Sequence, residues 1–356
     1  MSPSAFPQEG VFYIVPTTPM SHRIIQPLPQ ASEIVQRYPI TPSHRVPERR
    51  RIIQDVLAGR DERLLMVVGP CSAYPFDTVR EYADRLAQLQ EEILEKIVLV
   101  LRTYIQKPRT TVGWPGPLNS PDPLGSPDII RGIHECRQMM CDVAQKLPLA
   151  DEMLFTHNGP YFDDALSYLA LGARSAEDME HRYIASGLDM AVGVKNPTSG
   201  DIEIGVNGVQ TVQAPHTFAL HQHHVESTGN PYAHLILRGG KDSSNYGPRS
   251  IALAHRFLTE RSVVHPAMVI DASHDNSRNG HGKDPRLQED VVLAVLQGVL
   301  QRREEYMNVR GFMMESNIKG GNQKIAQGMD PHISITDACL DWENTRRVIL
   351  SAAERL

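Results

Sequence analysis

The feature that most constrains the fold is a regular alternation of short apolar segments and longer amphipathic ones, which begins near residue 64. This rhythm is expected when parallel strands are connected by crossover helices. Eight apolar, mostly β-branched segments are predicted as strands: 64–70, 96–104, 149–154, 168–174, 189–195, 234–239, 267–272 and 311–316. Eight strands alternating with helices in one series favour a closed (β/α)8 (TIM) barrel over an open sheet, which commonly has about five or six strands.

An N-terminal extension is predicted before the barrel. Residues 1–60 are Pro-rich and irregular until 46–59, where a Pro near the start and a Gly at the end indicate a helix. Residues 10–18 could add a strand against a neighbouring subunit or could form a loose arm. We therefore expect residues 1–60 to have an inter-subunit or regulatory role and residues 61–356 to form the barrel.

Composition excludes several function classes. The net charge of -6 argues against a nucleic-acid partner, so any cationic site must be local. The N-terminus lacks a basic segment followed by an apolar run, and no apolar stretch approaches the ~18 residues of a membrane span. The four cysteines lack the spacing of a zinc module or a disulfide framework. These features predict a cytoplasmic protein with no membrane partner.

Charged or reactive residues follow the predicted strands. In a (β/α)8 barrel the C-terminal strand ends and their loops build the active site, so these residues would converge on one mouth. Any one of them could instead mark where a strand meets water. The residues, in chain order, are Cys71, Arg102, Lys107, Glu152, Arg174, Lys195, Arg238, His274 and Glu315.

Most of these residues are cations. With Arg109 they would form a concentrated positive patch, because arginine binds phosphate and carboxylate through a planar fork and lysine adds a compact charge. The patch suggests a small substrate with several anionic groups. Each cation could also be a solvated surface charge, and that alternative is strongest for Arg109, which lies beyond its strand.

A second set comprises Cys71, His274 and Glu315, with Asp337 as a possible fourth member. Thiolate, imidazole and carboxylate are all ligands of divalent metals, and this mixed set does not select one metal. Taken singly, Cys71 could be a small buried residue and Asp337 a helix N-cap. Cys71 could also be a nucleophile with His274 as its base, and periodicity alone does not decide between these roles.

Several motifs together resemble the type I 3-deoxy-7-phosphoheptulonate (DAHP) synthases from about residue 28 to the C-terminus. The resemblance implies a metal-dependent enzyme that joins phosphoenolpyruvate to D-erythrose 4-phosphate and water at the entry to the shikimate pathway. The products would be 3-deoxy-D-arabino-heptulosonate 7-phosphate and phosphate. The motifs are VVGPCS, LRTYIQKPRTTVGW, LGARSAEDMEHRYIASGLDMAVGVKN, APHTFAL, HLILRGGK, VIDASHDNS, MESNIKGGNQ and SITDAC.

Matching positions in the family imply roles for individual residues. The divalent metal (manganese, cobalt, iron or zinc) would be bound by Cys71, His274, Glu315 and Asp337. Phosphoenolpyruvate would be bound by Arg102, Lys107, Glu152, Ala173, Arg174, Lys195 and Arg238. Arg109 and Thr110 would bind the phosphate of erythrose 4-phosphate. The catalytic set is predicted as Lys107, Glu152 and His274, with Lys107 and Glu152 moving protons or orienting water. Family resemblance also implies a homodimer or homotetramer.

The chain departs from the family pattern at a few positions. Ala73-Tyr74-Pro75 replaces Ile-His-Asp, Pro115 replaces a lysine, and Asn317 replaces a histidine, so the surroundings of the metal and sugar sites could differ.

The resemblance implies a possible effector region at Gly159, Ile184, Leu188 and Asp189, in which Gly159 replaces a proline and Asp189 replaces a serine or glycine. A carboxylate at position 189 should disfavour an apolar inhibitor side chain. We therefore expect weak or altered inhibition by phenylalanine or tyrosine, as in a pathway-specific copy. The alternatives are the same chemistry on another aldose phosphate, or a non-catalytic regulatory homologue.

Overall fold

Eight parallel strands close into a barrel, as predicted. The computed structural model describes residues 23–109, 111–280 and 282–356. The barrel strands are β1 (Leu64–Gly69), β2 (Ile97–Arg102), β3 (Leu149–Met153), β4 (Tyr168–Leu171), β5 (Ala191–Lys195), β6 (Ala233–Leu237), β7 (Met268–Asp271) and β8 (Val309–Glu315).

Closure occurs where the first strand meets the last. Leu65 of β1 pairs with Gly311 of β8 on one side and with Val98 of β2 on the other. Around the barrel each strand otherwise neighbours the strands that precede and follow it in the chain. Because all pairs are parallel, every C-terminal strand end lies at the same mouth.

Amphipathic helices surround the barrel. In α3 the buried residues Val79, Tyr82, Ala83 and Leu86 recur at helical spacing and face the strands. The helices are α1 (Ala31–Arg37), α2 (Val46–Leu57), α3 (Phe76–Ile93), α4 (Ile129–Ala144), α5 (Gly159–Phe162), α6 (Met179–Ala185), α7 (Ile202–Gln213), α8 (Pro248–Glu260), α9 (Leu287–Leu300) and α10 (Trp342–Arg355).

The apolar core has two layers. One lies between the barrel and its helices, and the other fills the barrel interior with side chains such as Val67, Val100 and Met313. Ile53 and Val56 of α2 belong to the interior layer, so this helix covers the N-terminal end of the barrel. The division at residue 60 stays a prediction, and α2 on its N-terminal side shares the core of the barrel.

Two small hairpins were not predicted. One joins α7 to β6 and pairs Thr217–Leu220 with His223–Glu226, and the other pairs Arg278–Asn279 with Gly282–Lys283. Their strands are too short to give a periodic signal. Residues 10–18, predicted as a strand or an arm, lie outside the described residues. In the described part of the chain, no helix is both long and apolar enough to cross a membrane.

Candidate active site

A cavity of about 450 Å³ opens at the C-terminal mouth of the barrel. All seven residues predicted to bind phosphoenolpyruvate line it, and so do Arg109, His274 and Asp337. The structure therefore brings the predicted anion-binding set together. Thr110 lies outside the described residues. The remaining lining residues are Tyr104, Pro108, Thr111, Asp275, Arg278 and Lys283.

The predicted metal ligands meet beside this cavity. Cys71 follows β1 and Glu315 ends β8, where Gly69 and Glu315 pair in register. Ligand atoms of Cys71, Glu315 and Asp337 all lie within 4.8 Å of one another. His274 places Nε2 3.6 Å from Glu315 Oε1. Three of the four predicted ligands thus form one cluster, and His274 lies against its Glu315 side.

Two lysines neutralise this cluster. Lys107 Nζ lies 2.6 Å from Cys71 Sγ and 3.1 Å from Asp337 Oδ2. Lys283 donates to Glu315 Oε2 and lies 4.0 Å from Asp337 Oδ2. Burial opposes ionisation of Glu315, but these lysines and His274 hold its pKa well below the usual range. An ionised carboxylate beside thiol, imidazole and a second carboxylate is a donor set that fits a divalent metal.

The thiol of Cys71 fits a ligand better than a free nucleophile. Burial, with added repulsion from Glu315, raises its pKa to about 11. Without a bound cation the thiol therefore stays protonated, whereas a metal would deprotonate it on coordination. Its hydrogen-bond partners in the described chain are Lys107 and Asp337 rather than His274, the base that a nucleophile would need.

A carboxylate that the sequence analysis did not select lies beside His274. The Nδ1 of His274 lies 2.8 Å from Asp271 Oδ2, so Nε2 faces Glu315. Burial lowers the pKa of His274, which favours the neutral imidazole that a metal requires. Asp271 Oδ2 also lies 3.2 Å from Lys195 Nζ, so one buried carboxylate contacts both a metal-ligand candidate and an anion-site lysine.

The anion side of the cavity has buried donors that lack partners. Arg102 is fully buried, lies 3.9 Å from the centroid of the Tyr104 ring, and contacts Glu315 at 3.3 Å. Its Nη1 and the Nε of Arg238 have no hydrogen-bond partner within the described ranges. Because buried polar groups are normally paired, these two donors point to an anionic ligand.

Sequence reasoning missed several residues of this site, namely Tyr104, Asp271, Asp275, Arg278 and Lys283. Asp271 carried a detectable signal, because it is the only charged residue of the predicted strand 267–272 and lies three residues before His274. The short 278–283 hairpin, in contrast, gave no pattern that would place Lys283 against Glu315.

The other predicted features lie nearby. The departure at residues 73–75 packs behind the cavity, with the Tyr74 ring 5.4 Å from that of Trp114. Gly159, Ile184 and Leu188 line a second cavity of about 260 Å³ beside the 217–226 hairpin. Asp189 is exposed and is not among the described residues lining that cavity.

Comparisons with known proteins agree with the geometry. A model of the DAHP synthetase I family matches residues 37–349. The chain is 39% identical over 309 residues to the Tyr-sensitive phospho-2-dehydro-3-deoxyheptonate aldolase of Salmonella typhimurium (strain LT2), covering 84% of each. It is 36% identical over 335 residues to the Trp-sensitive phospho-2-dehydro-3-deoxyheptonate aldolase of Escherichia coli (strain K12), covering 91% of this chain and 94% of the relative.

A solved structure shows the same fold. The phospho-2-dehydro-3-deoxyheptonate aldolase from Francisella tularensis SCHU S4 superposes with a TM-score of 0.88 at 30% identity. The match covers 95% of this chain and 98% of that chain.

Proposed function

The chain belongs to the DAHP synthetase I family, and on that premise we propose that it condenses phosphoenolpyruvate with D-erythrose 4-phosphate and water. The products are 3-deoxy-D-arabino-heptulosonate 7-phosphate and inorganic phosphate. The family and enzyme class predicted from the motifs are confirmed. The observation that carries the proposal is the mouth cavity, where the predicted cations lie beside the Cys71, Glu315 and Asp337 cluster.

The cations support a reaction between two anionic substrates. Phosphoenolpyruvate and an aldose phosphate repel each other in water, and a positively charged cavity offsets that repulsion. Arg102 and Arg238 line this space, and each has a buried N–H group with no partner among the described residues, as expected of an anion-binding site. Holding both substrates in one orientation converts their encounter into a nearly unimolecular step.

A divalent metal fits the cluster, and Cys71, His274, Glu315 and Asp337 would hold it. When bound, the ion supplies Lewis-acid polarisation of the aldehyde oxygen. The donor set suits manganese, cobalt, iron or zinc. Asp271 would keep the His274 ring in position for this role, because its carboxylate contacts Nδ1.

Lys107 and Glu152 are the proposed proton-transfer or water-orienting groups. Burial alone would lower the pKa of Lys107, but Cys71, Asp337 and Glu315 raise it well above the usual range, so the ammonium remains charged. Glu152 lies over Gly172, where a Cβ would come within 2.0 Å of Glu152 Oε1. A glycine at 172 therefore gives this carboxylate its place at the cavity wall.

Phosphate release from phosphoenolpyruvate tests the proposal. The assay uses erythrose 4-phosphate and a panel of four- and five-carbon aldose phosphates, after chelation and again with manganese, cobalt, iron or zinc restored. We expect release that requires both metal and erythrose 4-phosphate. Cys71→Ala should lower the metal-restored rate at least about 100-fold, whereas Cys136→Ala, a buried cysteine of α4, should retain it.

Other outcomes would redirect the assignment. Release with a different aldose phosphate but not with erythrose 4-phosphate would favour the alternative substrate. An absence of release with every aldose phosphate and every metal would contradict catalysis and leave the regulatory homologue.

We also propose that the enzyme is cytoplasmic and forms a homodimer or homotetramer. A further proposal is that it is a pathway-specific copy with weak feedback inhibition. The relatives named above are called Tyr-sensitive and Trp-sensitive. Support for altered regulation comes from the sequence departures at Gly159 and Asp189. The same assay with micromolar phenylalanine or tyrosine tests this regulation, and inhibition comparable to that of typical family members would contradict it.

A further inference from the structure

The small hairpin of Arg278–Asn279 and Gly282–Lys283 reaches into the active-site cavity. Arg278 pairs with Lys283 and Asn279 with Gly282 in an antiparallel ladder. Arg278 and Lys283 both line the cavity. Lys283 is ion-paired with the fully buried Glu315, which fixes one end of the hairpin against the barrel. Arg278, the cross-strand partner of Lys283, has no part in the candidate metal cluster or in the predicted substrate set.

Arg278 is held beside a second arginine by one carboxylate. Its Nη1 donates to Asp275 Oδ1 at 2.9 Å. Arg238 Nη1 donates to the other oxygen, Asp275 Oδ2. The carboxylate therefore bridges two guanidinium groups, which would repel each other without it. Asp275 is only 16% exposed and Arg238 only 9%, so the part of the bridge formed by these two residues is largely shielded from solvent.

The bridge leaves binding capacity on the cavity side. Two guanidinium groups and one carboxylate carry a net charge of about +1. Arg238 Nε is buried and lacks a hydrogen-bond partner in the described chain. Arg278 remains 46% exposed and has donors beyond the one that Asp275 accepts. Two adjacent forks with unused donors match the three oxygens of a phosphate monoester.

We propose that Arg278 is a further phosphate-binding residue and that Asp275 is the positioning residue that holds it beside Arg238. This inference rests on the proposed function, because the ligand is the phosphate group of one of the two substrates. Arg238 belongs to the predicted phosphoenolpyruvate set, so the phosphate of phosphoenolpyruvate is the expected partner. The aldose phosphate also has a phosphate monoester that Arg278 could bind. The test therefore measures the KM for that substrate as well.

Arg278→Ala is compared with a matched control, Arg286→Ala. Arg286 lies eight positions further along the chain, is 82% exposed, and pairs only with Asp284 among the described residues. Calorimetry measures phosphoenolpyruvate binding to the manganese-loaded enzyme without aldose phosphate, and initial rates give KM for each substrate. We expect Arg278→Ala to weaken phosphoenolpyruvate binding about tenfold, with kcat changed less and KM for the aldose phosphate unchanged. Arg286→Ala should match wild type.

Two variants separate binding from a merely structural role. Arg278→Lys should recover part of the affinity, because it restores charge without the planar fork. Asp275→Asn should weaken phosphoenolpyruvate binding in the same direction, since it loosens the bridge. A rise in KM for the aldose phosphate alone would keep Arg278 as a phosphate ligand and assign it to that substrate. The inference would be overturned if Arg278→Ala and Arg286→Ala had equal dissociation constants for phosphoenolpyruvate and equal KM values for the aldose phosphate.

Failure of this inference is distinct from failure of the proposed function. The wild-type rate decides whether the condensation occurs, whereas the ratio of dissociation constants for the two arginine variants decides the role of Arg278. An enzyme that binds phosphoenolpyruvate without forming product still gives that ratio.

Discussion

Two adjacent aspartates just after α5 lie in opposite electrostatic environments. Asp164 accepts hydrogen bonds from both terminal nitrogens of Arg137, whose guanidinium is fully buried. Burial raises the pKa of Asp163 to about 6, although the nearby charge of Arg50 opposes the shift. The ionised carboxylates of Asp163 and Asp164 therefore have opposite effects on the free energy of unfolding at neutral pH.

Asp163→Asn should stabilise the protein at neutral pH. The folded pKa of about 6 exceeds the ordinary value for aspartate, about 3.9, so the folded state binds more protons between these values. Wild-type stability therefore falls as pH rises through about 4 to 6, and the amide removes that loss. We expect a gain of at most about 3 kcal/mol at pH 7 that vanishes near pH 4, measured by urea unfolding across this range.

Asp164→Asn is the matched comparison. It removes the charge that compensates a buried guanidinium, so stability at pH 7 should fall by about 1–3 kcal/mol. Shifts of the same sign in both variants would contradict this assignment of the two environments.

At the scale of elements, α4 supports the loop that carries the predicted contact to the sugar phosphate. A Cβ at Gly132 would lie 1.9 Å from the carbonyl oxygen of Leu118 and 2.9 Å from that of Pro117. Lys107 and Arg109 precede these residues on the same loop. The loop folds back on itself, so that Lys107 N donates a hydrogen bond to Pro115 O at 2.9 Å. The helix therefore packs directly on the backbone that positions two predicted substrate contacts.

Gly132→Ala should destabilise the fold and displace this loop. Helix propensity alone would favour alanine by about 1 kcal/mol, but overlap with a backbone carbonyl costs more. We expect a net loss of about 1–3 kcal/mol in thermal unfolding and a raised KM for the aldose phosphate. Gly247→Ala is the control, because among the described residues no atom beyond its two chain neighbours lies within 4 Å of its Cβ position. Equal effects of the two substitutions would refute the packing argument.

Most elements could be predicted from the sequence, because each barrel strand is a short apolar run between amphipathic helices. The 217–226 and 278–283 hairpins could not, since their strands of four and two residues are shorter than any reliable period. The motif-matched site residues were found because they follow strands or lie in a recognisable loop. Lys283 was missed because its position at the cavity depends on tertiary packing of the second hairpin, and Asp275 because its contact with Arg238 joins the ends of two different strands.

At the scale of the whole molecule, the metal cluster lies at the seam that closes the barrel. Cys71 comes from the end of the first strand and Glu315 from the end of the last, and these two strands pair side by side. An ion bound by both would link the two ends of the strand series. Metal binding should therefore stabilise the complete fold, because the unfolded chain does not hold these ligands together.

Adding manganese to the chelated protein should raise its melting temperature. At about 100 times the dissociation constant, linkage gives about 2.7 kcal/mol, which scanning calorimetry resolves. Asp337→Ala should abolish most of this rise. Asp341→Ala, which removes the N-cap hydrogen bond to Asn344 N in α10, should lower the melting temperature equally with and without metal. A full metal-dependent rise in Asp337→Ala would contradict its place in the cluster.

The seam also fixes when the site can first exist during synthesis. Cys71 precedes Asp337 by 266 positions, so the ribosome makes the thiol long before its last partner. A nascent chain can pair the first seven strands while Glu315 and Asp337 are still untranslated. A metal held by the complete ligand set would therefore bind late, after release of the C-terminal segment from the ribosomal tunnel.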